Sequence, residues 1–261
     1  MATAAAASGP DAAQMPFIKN LASSERKVRE ASLSSIQNFL ASRSSITDED
    51  ARKLWTGLYY AHWMTDRPRP QQTLANDLAE LLFVLKNADC AAPWQRAFWY
   101  VLGGQWTSIE ALRLDKFLLL VRRVFAAQLR YAKEHKYKGS ACKRVVLDTM
   151  REFCFDGEGG ASGLGVLALG LRLHLLDLWV DELEKLEILS DDSDDAKKFV
   201  KDIGKMVDGL RHSPVKPVKQ RANESYADER LPWADKDEEM DDDEEEDEGA
   251  EDDGEWGGID D

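Results

Sequence analysis

The sequence has few of the residues that usually build metal and redox sites. Three cysteines and four histidines are present in 261 residues. Cys90, Cys142 and Cys154 are odd in number and show no CxxC spacing, which argues against a disulfide framework or a zinc site and fits a reducing compartment. His62, His135, His174 and His212 form no HxxxH pair. Long apolar runs are also lacking. The longest, 163–171, falls far short of the roughly 20 residues that span a bilayer. Residues 1–14 are rich in alanine but lack a basic start and a sustained apolar run, so no secretory leader is expected. A soluble, intracellular protein with no membrane contact follows as the expectation.

What is present is helical in period. Over 54–83, apolar residues recur at Leu54, Trp55, Leu58, Tyr59, Ala61, His62 and Trp63, and again at Leu74, Leu78, Leu81 and Leu82. Between the two runs, Pro68 and Pro70 push the residues before them out of the α region and set a rigid turn. A lone hairpin cannot bury that much aromatic surface, so further layers must stack against it. Six tryptophans, Trp55, Trp63, Trp94, Trp99, Trp106 and Trp179, fall in phase with other apolar residues and are expected in the core.

The rest of the chain supplies the layers. A helix capped by Ser23 or Ser24 carries Val28, Ile36, Phe39 and Leu40 inward, and Thr47 caps the next, with acids in its first turn. Pro93 is expected to start a helix over 94–106, bent at Gly103-Gly104. The longest candidate runs over 111–135, and further helices follow to Phe155, over 166–189 and over 194–210. With no strand-like alternation, the fold class is all-α. Helix pairs of about forty residues predict a HEAT- or armadillo-like solenoid. The domain organisation expected is a disordered start at 1–15, a helical repeat domain at 16–211, an extended arm at 212–234 and a disordered acidic tail at 235–261.

Charge is unevenly placed. Residues 235–261 hold eighteen Asp and Glu against one Lys, a balance of -17, whereas residues 1–234 hold 33 basic and 31 acidic side chains, a balance of +2. From Arg113 to Arg151 there are eleven Lys and Arg against three acids. Lys116, Arg123 and Arg130 are seven apart and share a stripe of one helix; Lys133, Lys136, Lys143 and Arg144 extend it. A solvated face and a phosphate-binding surface are both consistent with that pattern, since clustered cations attract a polyanion without reading its sequence. In the arm, Pro214, Pro217 and Pro232 predict an extended chain. Lys216, Lys219, Arg221, Tyr226, Leu231 and Trp233 are its candidate partner-binding residues, and docking on a neighbouring factor is favoured over folding back.

Signs of catalysis are weak. The glycine-rich 157–165 lacks the GK[ST] ending of a P-loop and follows a helix, so it reads as a connection. Asp177, Asp181, Glu182 and Glu184 have no histidine at ligand spacing and read as a solvated helix face. No cofactor and no small-molecule substrate are expected.

Four blocks carry a resemblance: FIKNLASSERKVREASLSSIQNFLASRS, LWTGLYYAHWMTDRPRPQQTLANDLAELLF, FWYVLGGQWTSIEALRLDKFLLLVRRVF and GLRLHLLDLWVDELEKL. In this order the chain resembles the nucleolar ribosomal RNA-processing protein family typified by the fungal ribosomal RNA-processing protein 1. The most specific pieces are the run at 53–60, Trp63 to Pro68, and Trp106 with Ile109 through Arg113-Leu114-Asp115-Lys116-Phe117. The resemblance implies a non-catalytic assembly factor in nucleolar precursors of the large ribosomal subunit. Its partners would be other assembly factors and precursor rRNA, and it would serve processing around the internal spacer. The rival reading is a HEAT-like adaptor with protein partners and no direct RNA contact; a nuclease is the poorest fit.

Overall fold

The computed structural model describes residues 20–156 and 167–234. Every regular element among them is helical. Helix α1 spans Arg26–Ser42, α2 Asp48–Trp63 and α3 Pro68–Glu80, which tightens into a 3-10 turn at Leu81–Val84. Helix α4 spans Ala88–Gln105 and α5 Ala111–Glu134. Two π-helical segments follow, Ala141–Leu147 and Met150–Cys154, then α6 (Leu169–Lys185), α7 (Asp194–Arg211) and α8 (Lys216–Tyr226). The expectations for 1–15, for the glycine-rich connection and for the acidic tail lie outside the described residues.

The helix starts have local causes. Thr47 accepts a hydrogen bond from the Asp50 amide at 3.1 Å, and Asp48, Glu49 and Asp50 occupy the positive end of α2. Pro68 stands in the first turn of α3, where its missing amide is not needed. At α4 the start differs from expectation. The Asn87 side chain accepts from the amides of Asp89 and Cys90 at 3.0 Å, so the helix begins at Ala88 and Pro93 falls inside it. A good cap has outvoted the proline as the starting signal.

Packing joins helices two apart in sequence: α2 lies on α4, and α3 on α5. Trp55 meets Trp94 and Phe98, each at 4.9 Å between ring centroids, and Phe98 meets Trp99 edge-on. Five of the six tryptophans are buried; Trp63 is half-exposed and rests on Tyr59 and Phe117. Gln128 is fully buried and ties three elements together. It accepts from Trp99 Nε1 at 3.2 Å and donates to the Val145 carbonyl at 2.9 Å. In a π turn the carbonyls are spread by an extra residue, and here an inserted amide satisfies one of them.

The expectation of an extended arm is corrected. Pro217 sits in the first turn of α8, so it begins a helix rather than prolonging an extended chain. Val218 and Ala222 are fully buried, and Leu231 is 4% exposed. Trp233 stacks on Tyr226 at 5.1 Å and donates from Nε1 to the Tyr226 carbonyl at 3.0 Å. Its ring lies so close to Gly204 of α7 that a Cβ there would collide with it. Arg230 binds Asp181 at 3.2 Å and Glu184 at 2.5 Å, and Arg221 pairs with Asp177. The acids of α6 therefore fasten the chain's return. Glu182 is buried and takes the Arg122 guanidinium at 2.6 Å, which corrects the reading of a wholly solvated acidic face.

Candidate nucleic-acid interface

The stripe read along α5 is divided by its neighbours. Lys116 is buried: its ammonium donates to the Trp63 carbonyl at 2.6 Å, the Thr65 carbonyl at 3.1 Å and the Asp66 carboxylate at 3.1 Å. Desolvation lowers its pKa, while the ammonium beside it holds Asp66 below the usual carboxylate range. Lys116 is thus withdrawn from the candidate RNA contacts, because it closes the turn between α2 and α3. Arg130 lies over the Phe83 ring and donates to both Glu80 oxygens at 2.7 and 2.8 Å. Lys133 donates to the Leu186 carbonyl at 2.6 Å. Arg144 reaches Asp89 at 2.7 Å and Lys143 reaches Asp148 at 2.8 Å. Arg123 and Lys136 are exposed, and their side chains have no hydrogen-bond or ion-pair partner among the described residues.

Beyond α5 the structure forms a groove that the sequence did not reveal. The chain leaves α5 through a turn in which Lys136, Tyr137 and Gly139 have φ of 52°, 58° and 69°. The Tyr137 amide donates to the Ala132 carbonyl at 2.8 Å, closing the helix end with a left-handed cap. That turn swings the π-helical segments alongside α7. Tyr137 packs on Phe199 at 5.2 Å and donates to Asp191 at 3.2 Å, pinning the junction.

Between these walls lies a groove of about 470 Å³, with Lys138, Lys143, Arg151 and Lys198 at its rim. Cys142 and Phe199 form its floor. A second cavity of about 420 Å³ shares Arg151 and Asp202 and adds Lys205 and Met206. Three aspartates temper the rim: Asp195 pairs with Lys138 at 2.5 Å, Asp148 with Lys143, and Asp202 with Lys198 at 3.2 Å. Five cations against three anions leave the groove positive. The three lysines are well exposed to solvent and their aspartate partners partly exposed, so an incoming polyanion can draw the ammonium groups away at modest cost. Burial pushes the Cys142 thiol up to about 11, which keeps it a packing residue rather than a nucleophile.

Of the sequence candidates, the structure gathers Lys143 at this groove and holds Lys116, Arg130 and Lys133 in internal contacts. The α7 lysines were missed. Their signal was available in the spacing of Lys197, Lys198, Lys201 and Lys205, but nothing in chain order placed them beside the end of α5. Among the described residues no three His, Cys, Asp or Glu side chains converge to hold a metal ion. No described helix is long and apolar enough to cross a membrane.

Fold and groove together define a helical protein with a basic groove on its surface. The family profile described as "Nucleolar protein, Nop52" matches residues 12–260, and the chain belongs to this family, which places it in the nucleolus. It is similar to the human protein "Ribosomal RNA processing protein 1 homolog B", at 27% identity over 83% of this chain and 28% of that protein. The human "homolog A" is 23% identical over 72% of this chain and 40% of that protein. The Drosophila melanogaster "Ribosomal RNA processing protein 1 homolog" is 26% identical over 67% of this chain and 25% of that protein. The chain thus spans a quarter to two-fifths of the length of these relatives.

Proposed function

We propose that this chain is a helical assembly factor that acts in ribosomal RNA processing within nucleolar precursors of the large ribosomal subunit. The observation that carries the reading is the family match across nearly the whole chain, joined to relatives named for ribosomal RNA processing. Stacking of α2 on α4 and α3 on α5 supports a HEAT-like scaffold, in which successive layers present an elongated surface to partners. Precursor rRNA meets the groove beside α7 together with Lys136 and Arg123, through phosphates rather than bases. Other assembly factors occupy the remaining helical faces. No chemical step is assigned to the chain.

One observation favours a second reading, an adaptor with protein partners alone. Lys116, Arg130, Lys133 and Arg144 already have partners inside the chain, which leaves fewer free cations than the sequence offers. Sedimentation of the tagged protein from nucleolar extract separates the two. Comigration with large-subunit precursors that is lost after RNase supports the assembly-factor reading. Comigration with smaller complexes that survives RNase supports the adaptor.

A further inference from the structure

Where the described chain leaves the body is fixed by packing. Trp233 is seated on Gly204 of α7, and Ala234 follows it. The 27 residues after Ala234 carry eighteen acids and one lysine. Two charged faces flank this exit. On one side α6 presents Asp177, Asp181 and Glu184, which repel an acidic chain even though Arg221 and Arg230 partly neutralise them.

On the other side stands α7. At about 100° per residue, Lys197, Lys201, Lys205 and Lys198 lie roughly 20°, 60°, 100° and 120° around the helix from Gly204. They share the arc between the Trp233 seat and the groove with Asp208, which pairs with Arg211, and with Asp194 in the first turn, at roughly 40° and 80°. All four are exposed, Lys197 pairs with Asp192, and the Lys201 side chain has no hydrogen-bond or ion-pair partner among the described residues. Lys198 and Lys205 share one aspartate, Asp202.

We propose that the acidic segment 235–261 docks in cis on the lysine face of α7, Lys197, Lys198, Lys201 and Lys205, and reaches the adjoining groove. Charge complementarity selects the occupant, and the tether makes the contact effective. A segment joined directly to its site is present at an effective concentration on the order of millimolar, so individually weak ion pairs suffice. Reach is no obstacle: α7 is about 27 Å long, and 27 residues extended cover roughly 90 Å. The segment is then an intramolecular competitor for any polyanion directed to the groove. That consequence, but not the contact itself, rests on the RNA reading proposed above.

The test uses the full 261-residue chain without RNA. Zero-length carbodiimide coupling joins lysine ammonium groups to carboxylates in contact, and mass spectrometry locates the joins. The expected result is intramolecular joins from 235–261 concentrated on Lys197, Lys198, Lys201 and Lys205, independent of protein concentration and lost in 1 M salt. Joins spread evenly to Lys27, Lys53 and Lys86, or found only between molecules, overturn the proposal. A companion measurement replaces the acids of 241–248 by Asn and Gln and reads affinity for a single-stranded RNA oligonucleotide at low salt. A segment bound about nine-tenths of the time lowers apparent affinity roughly tenfold, which this variant recovers. Should the joins appear and the RNA affinity stay fixed, the cis contact stands and the RNA reading of the groove is what fails.

Discussion

Lys116 shows how a correct periodicity can lead to a wrong surface. It does share a stripe with Arg123 and Arg130, as their seven-residue spacing requires. Its partners, Trp63, Thr65 and Asp66, come from a turn some fifty residues earlier, which no local pattern announces. Replacing Lys116 by Ala strands two buried carbonyls and is expected to cost about 2–3 kcal/mol in urea unfolding while leaving RNA affinity unchanged. A loss of affinity at unchanged stability would return Lys116 to the interface. His62 lies beside it, fully buried, with Nε2 donating to the Lys116 carbonyl at 3.2 Å. Burial depresses its pKa to about 4. A depressed pKa means that the unfolded chain takes up the proton first, so stability falls as pH drops from about 6.5 towards 4. The His62 share of that loss is expected to be about 2 kcal/mol between pH 7.5 and pH 5. Unfolding of His62→Gln should show a shallower pH slope across this window; an unchanged slope would mean that the imidazole titrates normally.

At the scale of elements, the hairpin of α2 and α3, the Thr47 cap and the extent of α5 were all legible, because each is written in local spacing. The end of the chain was not. Prolines at 214, 217 and 232 suggested an extended arm, yet one proline in a first helical turn favours a helix once Val218 and Ala222 have a surface to bury against. That surface is made by α6 and α7 and exists only in the folded molecule. Trp233 and Gly204 give the test. Trp233→Ala is expected to destabilise the fold by about 2–3 kcal/mol, since a half-buried indole and its hydrogen bond are lost. Gly204→Ala should cost about 1–3 kcal/mol by displacing the ring. In the Trp233→Ala background the same change should become neutral or favourable, because alanine suits a helix interior better than glycine. Additive effects of the two substitutions would show that the ring does not rest on α7.

The whole molecule separates its charge: a near-neutral helical body, a basic groove where the π-helical segments meet α7, and an acidic run beyond Trp233. Composition alone displayed the acidic run and the excess of cations at 113–151. It could not show that nine of those eleven cations have a partner within the chain, nor that lysines about sixty residues later complete the exposed surface. Under the proposed role in nucleolar rRNA processing, this groove is the proposed address for RNA. Ultraviolet crosslinking of large-subunit precursors purified through this protein, with adducts mapped by mass spectrometry, tests it most directly. Uridine adducts on the peptides bearing Lys138, Lys143, Arg151, Lys198 and Lys205 are the expected result. Uridine adducts confined to other faces, or protein-only adducts at the groove, would contradict it.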